Sequence, residues 1–320
     1  MSSGMISRKA LVWSAQDPVI SWLIDRSEPA MRYLVSRDIL EPRPGERALE
    51  RLRTAIPNEG WTAKILAGQR NKTWWITKKT CYRPKFRSTI WRLQVLADLG
   101  ISRRDERISN AVEFFLDLHL ARDGGYSPIA KQARKAPTTG HLCTTGNMIR
   151  SLIRFGYFTD DRVQTAIDWL VRAQLQDGGW DCFGRKNGTL DAWEAMSAFA
   201  EIPEGRRSLR VRRAIQTGAE FFLKRRLLHE GRPFPRWYSL RYPWHYFYDV
   251  LVGLDFVSAL GYGKDPRARE AIHHLVSLRR PDGKWNLNHT NGNLSLEDAG
   301  QPSKMITFLS LRAIKRLARS

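Results

Sequence analysis

Cysteine is scarce in this chain of 320 residues: Cys81, Cys143 and Cys182 form no C-x-x-C pair and leave an odd number. A disulfide framework is therefore not expected, and a reducing, cytoplasmic setting is. Long apolar runs are missing as well. The most apolar stretch, residues 250–261, is short and carries Asp255, so no membrane-spanning helix is expected. The N-terminal residues lack an apolar run of signal-peptide length. Apolar and polar residues nowhere alternate at period two over a useful length, so strands should be rare. Acidic residues are in short supply too, with 32 Asp and Glu against 53 Lys and Arg, for a net charge of +21. Such a field attracts phosphates, nucleic acid or anionic headgroups. The excess is local: residues 61–110 carry 12 basic and 3 acidic side chains, whereas residues 161–210 carry 7 and 8. Lys78, Lys79, Arg83, Lys85 and Arg87 form the tightest basic cluster, with Tyr82 and Phe86 among them. Core material is ample, at 42% hydrophobic residues, which excludes a disordered chain.

What the chain does contain is an internal repeat. DERISNAVEFFLDLHLARDGGY (105–126), DDRVQTAIDWLVRAQLQDGGW (160–180) and DPRAREAIHHLVSLRRPDGKW (265–285) share one plan: an acidic start, Arg, a helical apolar stripe, then a DG turn and an aromatic. With Trp75 and Phe234 added, the terminal aromatics Trp75, Tyr126, Trp180, Phe234 and Trp285 are 51, 54, 54 and 51 residues apart. Each unit reads as two helices. The first holds most of the charge. The second is richer in aromatics and begins near Ser88, Thr144, Leu190, Tyr246 or Ser303. An inner ring wrapped by an outer ring accounts for this asymmetry better than an open solenoid does. The expectation is an all-α closed toroid of about five to six helical hairpins over residues 60–320. Residues 1–59 would form an N-terminal helical extension packed on the barrel.

The run Gln174–Leu175–Gln176–Asp177–Gly178–Gly179–Trp180 resembles the Q-x3-G-x-W pattern of squalene cyclases and related terpenoid cyclases. Arg279–Gly283–Trp285 and Gln69–Thr73–Trp75 are variants of it. Repeated DGG turns followed by an aromatic also resemble the β subunits of protein prenyltransferases. The resemblance spans about residues 60–320. In its commonest meaning it is architectural, with Gln and Trp tying one helical turn to the next. The cyclase resemblance implies an apolar cavity and an Asp acid, but the D-x-D-D motif is absent, leaving Asp191 alone in GTLDAW. The prenyltransferase resemblance implies a zinc ion held by Asp, Cys and His. Asp181, Cys182 and His245 are the candidate ligands, and His141 and Cys143 supply a further His and Cys at a neighbouring inner helix.

Candidate site residues follow from these readings. Asp191 and Asp249 are the candidate catalytic acids. Trp91, Trp193, Trp244 and Tyr248 are expected to wall the central cavity, since aromatic faces stabilise cations and stack on flat ligands. Lys79, Arg83 and Arg87 are expected to hold an anionic head. Together they suit an isoprenoid or other apolar–anionic ligand of the prenyl diphosphate type, in a prenyltransferase- or cyclase-like protein. Two alternatives stand beside it. The basic helical repeats could bind nucleic acid without catalysis, or the barrel could act on carbohydrate through paired carboxylates.

Overall fold

The computed structural model describes residues 13–132, 135–231, 234–291 and 296–319, which form thirteen α-helices numbered here in chain order. Three outer helices begin in the same way, and the reason is written in their first residues. Asp105, Asp160 and Asp265 each accept a backbone N–H from the residue two positions on, at 2.9–3.0 Å. The same carboxylates pair with the side chains of Arg107, Arg162 and Arg267. Capping of this kind satisfies otherwise orphaned amides and suits the positive end of the helix dipole. Arg162 and Arg267 also reach back to Glu113 and Glu220 on the preceding outer helix, so the D-x-R start latches neighbouring repeats together.

Six helical pairs follow in order. The outer members are α1 (Pro18–Leu23), α4 (Gly60–Ala67), α6 (Glu106–His119), α8 (Asp161–Arg172), α10 (Leu209–Lys224) and α12 (Arg269–Ser277). The inner members are α2 (Pro29–Asp38), α5 (Thr89–Asp98), α7 (Leu142–Phe155), α9 (Glu194–Ala200), α11 (Val250–Ala259) and α13 (Lys304–Arg319). An additional helix, α3 (Glu46–Ala55), packs on α2. Successive inner helices touch from α5 to α7, α9, α11 and α13, and α13 touches α2. Gly100, just after α5, lies against the Tyr33 ring of α2, which completes the circuit. The helices expected as an N-terminal extension thus occupy the gap between α13 and α5. Lys284 sits 4.7 Å over the Trp22 ring and Lys304 pairs with Asp25, sealing the seam on the outside.

The repeat motif clips the turn that ends one outer helix to that helix and to the next outer one. The indole N–H of Trp75, Trp180 and Trp285 donates to Ile65, Leu170 and Leu275 O, ten residues back, at 2.7–2.9 Å. Gln174 donates to Gly178 O and to Ala214 O of α10, and Gln69 donates to Arg107 O of α6. Each glutamine therefore ties its own turn to the next outer helix. Gly178, at φ +88°, makes the turn, and a Cβ there would lie 2.5 Å from Thr217 O. The unit at Phe234 does not follow this plan: Phe234 is 47% exposed and makes no such clip. No helix of the described residues is long and apolar enough to cross a membrane.

Candidate functional site

The residues just before or at the start of α5, α7, α9 and α11 meet at one mouth of the ring. There they enclose a cavity of about 530 Å³. Its walls are Tyr82, Ile129, Phe183, Phe234, Tyr246 and Phe247, with Arg83, Lys85 and Arg236 among them. Ile129, Phe183 and Phe234 are exposed apolar side chains, which are uncommon on this surface. Lys85 Nζ lies 5.2 Å over the Tyr246 ring and 6.0 Å from that of Tyr82. Phe86 and His245, both with left-handed backbone, stack beneath at 5.4 Å. Non-glycine residues in that region carry strain, which a packed aromatic cluster can hold in place.

The polar part of the cavity comes from α7, α9 and the loop after Trp180. His141 N–H donates to Tyr126 O, the same rung that Thr189 makes with Trp180 and Ser303 with Trp285. The repeat thereby fixes the start of α7 and places Cys143 in its first turn. The loop carrying Cys182 is pinned by carboxylates. Asp177 accepts from Gly179 and Gly188 N–H, and Asp181 Oδ2 accepts from Phe183 and Arg185 N–H. Glu194 opens α9 at a point where α7 comes unusually close: a Cβ on Gly146 would lie 2.6 Å from Glu194 Cβ. Glu194 is 1% exposed, and neither carboxyl oxygen has a hydrogen-bond partner among the described residues. Burial pushes its carboxyl well above the usual range.

The residues expected from sequence divide sharply. Asp191 and Arg83 line the cavity; Asp191 is exposed and accepts from Trp237 Nε1 at 3.1 Å. Lys79 and Arg87 are exposed but lie outside the wall. Trp91, Trp193, Trp244 and Tyr248 do not form the wall either, which corrects the expected lining. Trp193 and Trp244 pack edge to face at 6.1 Å, and Trp91 is covered by Tyr82, Phe86 and His245. Tyr248 donates to Leu227 O at 2.8 Å from within the core. Trp91 lies on α5 and the other three just before α9 or α11, and all four rings are packed into the core instead of enclosing space.

Asp249 is likewise buried. It caps α11 by accepting from Val252 and Arg241 N–H, both at 2.9 Å, and burial raises its carboxyl to about 7. The expected ligand trio of Asp181, Cys182 and His245 does not converge. His245 is held by Gln94 at 3.0 Å and kept neutral by burial, at about 3. The group that does converge is His141, Cys143 and Cys182. Sequence reasoning noted two of these as a second His and Cys but missed Glu194. The available signal was a single carboxylate in an otherwise apolar inner-helix run, AWEAMSAF.

No family model matches the chain, and no curated protein does. Among solved structures, the type II terpene cyclase MstE from Scytonema, in complex with geranylgeranyl dihydroxybenzoate, is 14% identical with a TM-score of 0.49. That match covers 93% of this chain and 87% of the other. A glycosyl hydrolase family 88 protein from Bacteroides vulgatus is 13% identical with a TM-score of 0.48, over 92% and 93%. A protein from Actinoplanes is 16% identical with a TM-score of 0.47, over 91% and 90%.

Proposed function

We propose that the mouth cavity binds an amphiphile with a hydrocarbon tail and a phosphate or diphosphate head, of the prenyl diphosphate class, in a prenyltransferase-like protein. One observation carries this reading. Arg83, Lys85 and Arg236 line an aromatic cavity, and among the described residues none of them has a carboxylate within ion-pair distance. Unpaired cations beside aromatic faces suit a ligand that is anionic at one end and apolar along the other. The volume falls within the range typical of small-molecule sites, roughly 300–1,000 Å³. Exposed Ile129, Phe183 and Phe234 offer the tail a way in. The reading stops short of squalene-type initiation. Protonating an alkene takes a carboxyl made more acidic by its neighbours, and Glu194 has no such partner.

Calorimetric titration with a C15 prenyl diphosphate and with the corresponding alcohol tests the reading. Charge reversal at Arg83, Lys85 and Arg236 should weaken the diphosphate at least about tenfold, or 1.4 kcal/mol, and leave the alcohol nearly unchanged. Phe247→Ala should weaken both. Lys79→Glu and Arg87→Glu, outside the wall, are controls with little effect on either. A diphosphate that binds no better than the alcohol would sink the reading. So would tight, steeply salt-dependent binding of single-stranded nucleic acid with no response to the prenyl compounds.

A further inference from the structure

The start of α7 and the loop after Trp180 bring one imidazole and two thiols together in the cavity wall. The ligand atoms of His141, Cys143 and Cys182 all lie within 4.8 Å of one another, and His141 Nδ1 is 3.2 Å from Cys143 Sγ. A tetrahedral zinc with nitrogen at about 2.0 Å and sulfur at about 2.3 Å needs ligand–ligand separations of roughly 3.5–3.8 Å. These side chains reach such separations with shifts of a few tenths of an ångström up to about 1 Å, within ordinary rotamer freedom. No other three His, Cys, Asp or Glu side chains of the described residues come so close.

The anchoring is independent of any ligand. The His141 backbone is tied to Tyr126, and the Asp181 carboxylate folds the loop that presents Cys182. A second observation points to the same place. Glu194 shares this wall, 1% exposed, with two oxygens that no protein group satisfies. A buried carboxyl without partners is costly unless something at the site answers it.

We propose that His141, Cys143 and Cys182 form a transition-metal site of the zinc class, with its fourth position left to a water or to an oxygen or sulfur donor entering the cavity. Two thiolates and an imidazole select zinc over the hard cations magnesium and calcium, which take oxygen ligands. Three protein ligands with one position open is the arrangement of catalytic zinc sites rather than structural ones. When bound, the metal would supply a Lewis acid to the cavity. Asp181 and His245 remain outside it, the first as a loop fastener and the second as a packed ring. The inference goes beyond the amphiphile reading and stands if that reading fails, since metal binding is measured without any organic ligand.

The experiment uses the full chain, prepared without an affinity tag, fully reduced, incubated with a small molar excess of zinc or cobalt(II), and then freed of unbound metal. Elemental analysis should find about one zinc per chain. The cobalt form should show sulfur-to-cobalt charge-transfer bands and the intense visible bands of four-coordinate cobalt. Cys143→Ser, Cys182→Ser and His141→Ala should each lower metal affinity at least tenfold, while His273→Ala, an exposed histidine elsewhere, should not. Circular dichroism of each variant establishes that it is folded, and the wild-type cobalt spectrum decides the question even where a variant fails to fold. Zinc near zero with no thiolate band in the reduced wild type overturns the proposal. Folded Cys143→Ser and Cys182→Ser variants that keep their metal overturn it too. A Cys143–Cys182 disulfide that survives reduction and blocks cobalt uptake has the same force.

Discussion

The two ends of the ring are built from the same six inner helices and have opposite characters. At the end where those helices start, cations go unpaired, aromatic and aliphatic side chains reach solvent, and a buried carboxyl lacks partners. Toward the other end, almost every buried charge is answered. Asp98 receives Arg150 at 2.7 Å and also Arg154, which continues to Glu201 at 2.5 Å. Asp255 receives Arg312 at 2.8 Å and Arg316 at 3.1 Å, and Lys315 joins Glu41 and donates to Ile39 O. Helix polarity contributes to the split, since carbonyl ends favour cations and amide ends favour anions. The closed end behaves as a plug of compensated charge, whereas the open end leaves its polar groups available to something else. Compensated and uncompensated polar groups are thereby segregated to different ends of one barrel.

The sharpest way to break this comparison is to remove an anion from the plug. Asp255→Ala takes away the carboxylate that buried Arg312 meets at 2.8 Å and half-buried Arg316 at 3.1 Å. It should cost about 3–5 kcal/mol in denaturant unfolding; a loss below 1 kcal/mol would mean that the network is not holding the ring closed. Trp180→Ala should cost a similar amount or slightly less, roughly 3–5 kcal/mol, by emptying the fully buried space that the indole fills against Phe199. A variant with native melting temperature but lost ligand binding would move Trp180 from architecture to the site.

Asp249 lies between these extremes, and its test is one of pH. Its carboxyl is raised to about 7 in the folded protein by burial, above the ordinary value near 4. The folded state therefore holds this proton more tightly than the unfolded chain does. The resulting stability is complete below about pH 4 and is lost as pH rises toward 7, by up to about 1.4 kcal/mol per unit. Asp249→Asn should flatten that slope relative to wild type, whatever its effect on absolute stability. Equal slopes for the two proteins would place the titration elsewhere. The smallest effect belongs to the mouth. Arg83→Ala and Lys85→Ala should change stability by no more than about 0.5 kcal/mol, because neither has an ion-pair partner to lose. A large drop in melting temperature would turn the open end into a second structural plug.

Much of the architecture was legible because it is local and repeated. The DG turns, the aspartates two residues before an arginine, and the tryptophans ten residues beyond a helical carbonyl all act within a single unit. Periodicity in sequence therefore became periodicity in space. The site was harder to read, for a reason that particular residues make plain. Asp191 and Glu194 are three positions apart at the start of one inner helix, yet one faces solvent and the other is sealed beneath α7. Only the close approach at Gly146 decides which is which. The tryptophans expected to wall a cavity are buried against His245, each other and Arg150 instead, contacts between distant segments that the chain order does not show. The Arg partnerships of the plug join residues 47–61 positions apart, about one repeat, whereas Lys315 meets Glu41 from the opposite end of the chain, and no pattern in the chain indicates which cation meets which acid.

By itself, then, the order of residues determined the helical pairs, their number within one, the turns between them and the positive field. Each of these follows from short-range hydrogen bonding, spacing or composition. Tertiary structure alone decided that residues 18–38 close the ring, that Cys143 and Cys182 meet beside His141, and that the two mouths differ. Those outcomes depend on how a circuit of helices closes in space, and closure is a property of all six pairs at once.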